Sequence, residues 1–131
     1  MRHYNQGFTL IELLVVVAII GILSAIGIVS FTKYKTSAER KQAEISLNSM
    51  YLAQQEYRSN NTEYCISECN SLNNIVQNLF DGVDDLSKQK NFNFTISGNK
   101  NNDTFNLQAK HKSTNCALIL NEKNKLAINN C

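Results

Sequence analysis

The feature that most constrains this chain is an apolar run from Leu13 to Phe31 that contains no charged residue. Its length is close to the roughly 20 residues that a helix needs to cross a hydrocarbon core about 30 Å thick. We therefore predict a transmembrane helix. The polar segment Met1 to Gly7 is too short for a secretory signal peptide, which carries its apolar region upstream of the cleavage site.

A single carboxylate, Glu12, immediately precedes this apolar run. An acidic or basic side chain costs roughly 2.5–3.5 kcal/mol at the centre of a bilayer, and less near an end, so its presence indicates a function. Glu12 needs a partner, and we expect none from the chain around it.

The sequence GFTLIEL at residues 7–13, followed by the apolar run, resembles the class III signal of type IV pilins and related pseudopilins. The resemblance covers about Gln6 to Tyr34. It implies cleavage after Gly7 by a prepilin peptidase and N-methylation of the new first residue, Phe8. It also implies that Glu12 pairs with the Phe8 amino group of a neighbouring subunit, which would set the register of a filament, because a misplaced subunit leaves both charges unpaired. An ordinary membrane anchor with Glu12 reaching the interface is the alternative.

The resemblance also implies an organisation and a location. We expect a leader at residues 1–7, a membrane and filament-core helix at 8–31, and a globular head at 32–131. The precursor would be a single-pass inner-membrane protein with its carboxyl-terminal side outside, and the product an extracellular pilus. The implied partners are other pilin subunits, the prepilin peptidase, the inner-membrane assembly machinery and, before assembly, lipid.

Helical periodicity continues beyond the membrane to about Ser59. Ala43, Leu47, Met50 and Tyr57 recur at helical spacing and predict the face that packs on the head. Ile45 and Leu52 lie on a different face. They are either a second strip of the same core or a contact with neighbouring subunits, and we favour the core.

The rest of the chain predicts one short helix followed by strands. Apolar residues between Leu72 and Phe80 follow helical spacing, with Gly82 as a stop signal. Alternating patterns then predict four strands, near 92–96, 105–109, 116–120 and 126–128. A small antiparallel sheet of this kind needs a cover, and the second half of the long helix supplies it. We therefore predict an α+β fold of the type IV pilin kind.

Four cysteines, Cys65, Cys69, Cys116 and Cys131, all lie in the predicted head. An even number in a small exported domain favours disulfides, with three possible pairings. We prefer Cys116 with Cys131, which would close the last hairpin, and Cys65 with Cys69. The resemblance agrees, since many pilins close a carboxyl-terminal loop in this way. A zinc site is the alternative, but the cysteine spacing is unusual for one. We expect no metal and no cofactor.

The composition indicates a structural protein rather than an enzyme. After processing, the one histidine is His111 on a predicted strand, and no nucleophile with a nearby base is evident. The formal net charge of +2 excludes a strongly basic head. Lysines 110, 112, 123 and 125 nevertheless cluster in the predicted sheet region, where they are either a basic patch that contacts DNA or ordinary surface lysines on exposed strands, and both interpretations explain these positions equally well. The expected function is a major or minor pilus subunit serving adhesion, motility or DNA uptake, with a type II secretion pseudopilin or a DNA-binding competence pilin as alternatives.

Overall fold

A computed structural model describes residues 7–131. The chain divides between Ala38 and Glu39 into two units. Helix α1, Leu10–Asn61, begins in the first and ends in the second. The predicted long helix is thus confirmed, and it ends where Thr62 takes a left-handed conformation with φ 65°.

The first unit contains the apolar part of α1. Every residue from Gly7 to Ala38 is exposed. The serines of the run are satisfied within the helix: the Ser24 hydroxyl donates to the Ile20 carbonyl at 2.7 Å. A polar group without such a hydrogen-bond partner is energetically unfavourable in the hydrocarbon core of a membrane. Among the described residues, α1 is the one helix long and apolar enough to cross a membrane.

The second unit is built on the remainder of α1. Ala43, Leu47 and Met50 are fully buried, as predicted. The prediction for Ile45 and Leu52 was wrong, because their side chains are 65% and 68% exposed. Ile45 is two residues from both Ala43 and Leu47, which places it about 200° around the helix from them. A single sheet covers one face of α1, and these two residues lie on the other.

A four-stranded antiparallel sheet covers the buried face of α1. Its strands are β1 (Phe92–Asn99), β2 (Thr104–His111), β3 (Ala117–Asn121) and β4 (Leu126–Asn129), in the order β1-β2-β3-β4. This confirms the predicted α+β fold. The large side chains of the sheet that are buried in the core are Phe92, Phe94, Phe105, Leu107, Leu118 and Leu120.

Local sequence signals determine both ends of the second helix, α2 (Leu72–Phe80). The Ser71 hydroxyl accepts a hydrogen bond from the Asn74 backbone N–H and caps the amino end. At the other end Asp81 and Gly82 both have positive φ, and the Gly82 N–H donates to the Val76 carbonyl. This is the arrangement with which glycine commonly ends a helix.

Gln54 of α1 is a fully buried polar residue in the core. Its side-chain amide donates to the Cys65 carbonyl at 2.7 Å, and its side-chain oxygen accepts from the Cys65 N–H at 2.8 Å. Both halves of the amide are therefore satisfied. The pair fixes the segment that follows α1 against the helix, because the two bonds together allow one orientation.

Charged side chains connect the β1–β2 turn to the end of α1 and the segment after it. Lys100 bonds to Glu63 at 2.9 Å and to Glu68 at 2.8 Å. Arg58 pairs with Asp103 and also donates to the Tyr64 hydroxyl at 2.8 Å. The turn is thereby attached at two points.

Candidate functional site

Glu12 forms a capping box with Thr9 at the start of α1. The Glu12 carboxylate accepts from the Thr9 N–H at 2.8 Å and from the Thr9 hydroxyl at 2.7 Å. In return the Thr9 hydroxyl accepts from the Glu12 N–H at 3.3 Å. These reciprocal bonds satisfy donors at the end of the helix. The expectation that the surrounding chain offers Glu12 no partner was therefore wrong.

The predicted processing residues, Gly7 and Phe8, lie next to this box and are accessible. Phe8 is 80% exposed, and Gly7 has no neighbouring atom within 4 Å of the place where a side chain would begin. While Gly7 is attached to it, the Phe8 nitrogen is a peptide amide and carries no charge. An ammonium group at Phe8 would arise only after cleavage. The rest of the predicted leader, residues 1–6, lies outside the described residues.

The cysteines form the two preferred pairs. Cys65 bonds to Cys69, and both are buried in the core beside Tyr64. Cys116 bonds to Cys131 across a separation of 15 residues and joins the end of the chain to the start of β3. Since all four cysteines form disulfide bonds, none has a free thiol that could bind a metal. No group of side chains within residues 7–131 has a metal-binding arrangement.

The four predicted DNA-contact lysines do not form one patch. Lys110 is opposite Ala117 in the β2–β3 pairing, whereas Asn106 is opposite Asn121. Lys110 and Lys112 therefore lie where β2 ends. Lys123 and Lys125 follow β3 and lie at the opposite end of the sheet, so that at least four residues of strand, about 13 Å at 3.3 Å per residue, separate them from Lys110, and more separates them from Lys112. The prediction of a single basic patch was wrong, because antiparallel neighbours place consecutive turns at opposite ends.

All four lysines are exposed and none forms an ion pair with another residue of the described chain. Lys100 differs from them, because its bonds to Glu68 and Glu63 neutralise its charge and raise its pKa above the ordinary value of 10.5. The lysine pairs at the two ends of the sheet are thus exposed positive charges without an ion pair in the described chain.

The sheet between these lysine pairs has a polar outer side. Alternate residues of β1 and β2 point away from α1, as their burial patterns show. We call the following set the outer polar face: Asn93, Thr95, Ser97, Asn106 and Gln108. Thr95 is opposite Gln108, and Ser97 is opposite Asn106. None of the four strands contains an acidic residue.

His111 is a packing residue rather than an isolated surface histidine. Its ring lies 5.0 Å from that of Phe92, edge to face. Its Nδ1 accepts a hydrogen bond from the Ser113 N–H at 3.2 Å. These contacts hold the end of β2 against the start of β1, next to Lys110 and Lys112.

Comparison with known families accounts for both parts of the chain. Residues 2–28 match the prokaryotic N-terminal methylation motif. Residues 29–117, about two thirds of the chain, match the family described as type IV minor pilin ComP, DNA uptake sequence receptor. The chain belongs to this minor pilin family. The resemblance to type IV pilins is thereby confirmed.

Several curated pilins are similar to this chain over about half of its length. It is 47% identical to the type IV major pilin protein PilA of Myxococcus xanthus over 60 residues, which are 46% of this chain and 27% of that protein. It is 36% identical to a fimbrial protein of Neisseria meningitidis over 69 residues, 47% of this chain and 41% of that protein. The matched stretches span less than half of either relative. No solved structure gives a significant match.

Proposed function

We propose that this pilin is a minor subunit of a type IV pilus that binds DNA during uptake. The observation that carries the proposal is the match of residues 29–117 to a family of minor pilins described as receptors for DNA uptake sequences. The unneutralised lysine pairs and the acid-free strands of the sheet support it, because DNA binding depends on contacts between cationic side chains and phosphates.

The proposed route to the pilus begins in the inner membrane, with the carboxyl-terminal side outside. A prepilin peptidase removes residues 1–7 and Phe8 is methylated, which the methylation motif at residues 2–28 supports. Residues 8–31 then leave the lipid and join the filament core through the assembly machinery, while residues 32–131 form the exposed head. We expect the protein to have no catalytic activity, since its named relatives are structural pilins.

The filament role of Glu12 can be separated from its capping role. Glutamine at this position retains a side-chain acceptor for the Thr9 N–H but carries no charge. We expect Glu12→Gln and Glu12→Ala both to be processed and both to be depleted from sheared pili, measured by immunoblot of the filament fraction. Normal incorporation of Glu12→Gln would assign Glu12 to capping alone and contradict the pairing with a neighbouring Phe8 amine.

Processing has its own test. Gly7→Leu should leave a precursor in the membrane fraction that is larger by the length of the leader, since the bulky side chain replaces the residue at the cleavage site. Mass spectrometry of the wild-type protein should find methylated Phe8 as the first residue. Mature-sized protein from Gly7→Leu would contradict the proposed cleavage site.

DNA binding is tested with the full-length protein in detergent micelles and a labelled 20-base-pair duplex. We expect a mobility shift that weakens as salt is raised, because phosphate contacts release counterions. Absence of a shift at low salt would contradict the DNA-binding role.

Filament preparations separate the remaining alternatives. Trace amounts of the protein in sheared pili would support a minor subunit, and abundant protein would support a major subunit. Absence of the protein from pili would support a pseudopilin of a secretion system.

A further inference from the structure

The side of α1 that faces away from the sheet carries two apolar side chains that the core does not bury. Ile45 and Leu52 are 65% and 68% exposed. They are seven residues apart, so they lie on the same side of the helix, two turns from each other. A paired apolar surface of this kind, on an otherwise polar side of a helix, indicates a contact with another molecule.

Charged residues flank this apolar pair at equal spacing. Lys41 precedes Ile45 by four residues and Glu56 follows Leu52 by four, so the four side chains fall within an arc of about 60° and a length of about 22 Å. We call these four residues the outer strip. Lys41 bonds to Glu44 on its own helix, and its side chain stays 63% exposed. Glu56 is exposed and has no ion pair among residues 7–131.

The outer strip is complementary to a second copy of itself that runs in the opposite direction. Its centre lies between residues 48 and 49, and the apolar pair and the charged pair are each symmetric about that centre. Two antiparallel copies that cross there place Ile45 of each against Leu52 of the other, and Lys41 of each against Glu56 of the other. Two parallel copies in register would instead bring like charges together, which is unfavourable. The charges therefore favour the antiparallel arrangement.

The residue beside the centre permits a close approach of two helices. Ser49 has a small side chain, and its hydroxyl donates to the Ile45 carbonyl at 3.1 Å. Because this donor already has a partner within its own helix, covering it costs little free energy. The other side of α1 at this level is occupied by the core, so the outer strip is the accessible side.

We propose that the outer strip is a self-association surface through which the heads of two copies pair in antiparallel orientation. The proposal goes beyond the DNA binding proposed above and does not depend on it. Since the two helices run in opposite directions, their amino ends leave the contact on opposite sides. This geometry fits copies carried by two different pili and does not fit neighbours within one filament.

The contact between one pair of heads is a weak one. Its apolar part consists of four side chains, which bury less than the roughly 1,200 Å² typical of a stable interface. Two pili that each carry several copies would bind more tightly than one pair of heads, because each contact raises the effective concentration for the next. The surface is therefore suited to reversible association between filaments.

Self-association is measured with the full-length protein in detergent micelles, by sedimentation velocity over a series of protein concentrations with micelles in excess. The variant Ile45→Ser with Leu52→Ser removes the apolar part of the outer strip. We expect it to weaken association by about tenfold or more, since burial of each side chain contributes to the contact. Val83→Ser removes an exposed apolar side chain elsewhere and should match the wild type. Thermal midpoints should stay unchanged, because all three side chains are exposed.

The charged ends are tested by reversal. Lys41→Glu alone and Glu56→Lys alone each bring like charges together at both crossings, so we expect each variant to associate about two- to fivefold more weakly per ion pair lost. An equal mixture of the two variants restores opposite charges in the mixed dimer and should recover association. Lys90→Glu reverses an exposed charge outside α1 and serves as the control.

The direction of the pairing is tested by cross-linking. All four native cysteines form disulfides, so one added cysteine provides one free thiol. Mixing Ile45→Cys with Leu52→Cys under mild oxidation should give mainly the mixed disulfide dimer, which mass spectrometry distinguishes from both homodimers. Parallel pairing would give homodimers of each variant instead.

Three results would contradict the proposal. A wild type that sediments as a monomer at every concentration, or a double serine variant that associates as tightly as the wild type, would show that the outer strip is not a self-association surface. Preferential homodimers of the two cysteine variants would exclude the antiparallel arrangement. None of these results bears on the proposed function, which the mobility shift and the sheared filaments test separately.

Discussion

At the scale of single residues, the buried polar side chain of Gln54 stabilises the fold through two hydrogen bonds. It satisfies both backbone groups of Cys65 from inside the core. Substitution Gln54→Leu keeps the volume but leaves the buried Cys65 N–H and carbonyl without partners. Each orphaned group costs about 1–3 kcal/mol. We expect a loss of that order in the free energy of unfolding, measured by urea denaturation of the head.

The neighbouring residue provides the control for this prediction. Gln55 is half-exposed and forms no side-chain hydrogen bond within the described chain, so Gln55→Leu should change the unfolding free energy by less than about 0.5 kcal/mol. Equal effects of the two substitutions would mean that the Cys65 bonds contribute nothing specific.

Sequence patterns indicate two of the residue roles, the buried hydrogen bonds of Gln54 and the capping box of Thr9 and Glu12. Gln54 completes the series 43, 47, 50, 54, 57, whose alternating steps of four and three mark the buried face of α1. A polar residue in that series predicts a buried hydrogen bond. Thr9 and Glu12 have the spacing of a capping box. The ion pairs of Lys100 carry no such signal, because exposed charges in loops follow no period and meet only through the loop conformations.

At the scale of elements, the Cys116–Cys131 bond closes the final hairpin over a separation of 15 residues. In the chain-entropy model a loop of this length contributes about 3 kcal/mol by restricting the unfolded state. We expect the double substitution Cys116→Ala with Cys131→Ala to lower the unfolding free energy by about that amount, measured by urea denaturation without reductant. An unchanged midpoint would show that the hairpin is held by strand pairing alone.

We expect the link between the β1–β2 turn and the segment after α1 to be sensitive to acid. The Lys100 ammonium holds the pKa of Glu68 below its usual 4.5. A lowered pKa in the folded state contributes stability that is complete at neutral pH and is lost as pH falls through that lowered value. We expect the thermal midpoint of the wild type to fall below pH 4.5 more steeply than that of Lys100→Gln.

The control for this pH dependence is Lys88→Gln. Lys88 pairs with Asp85 three residues away, with both side chains about three-quarters exposed. A pair of this kind contributes little to stability. Its removal should leave the acid dependence of the wild type intact. Parallel curves for wild type and Lys100→Gln would contradict a stabilising role for the bonds of Lys100.

The sheet shows which features of the elements could be predicted from sequence patterns and which could not. Alternation predicts four strands, and the structure confirms all of them. The placement of the lysines was missed although it follows from those same strands. β2 and β3 are antiparallel, so the residues after β2 and the residues after β3 lie at opposite ends. Proximity in sequence was a poor guide because it ignored strand direction.

At the scale of the whole molecule, the two units have separate sources of stability. Residues 7–38 are exposed throughout, whereas the buried core begins at Ala43 and both disulfides lie beyond it. Within residues 7–38, the apolar part of α1 thus has no buried residue of its own. Its stability in isolation must come from lipid or from other helices, since apolar surface in water is unfavourable.

This separation predicts that a chain beginning at Glu39 folds without detergent. It retains every buried residue of the core and, of the described residues, loses only exposed ones, so its thermal midpoint should match that of the head in the full-length protein in micelles. A chain beginning at Asn48 is the control: it lacks Ala43 and Leu47, and the loss of a buried leucine alone costs about 2–5 kcal/mol. If the chain from Glu39 were unfolded, the apolar segment would be contributing to the head, and the two units would not be independent.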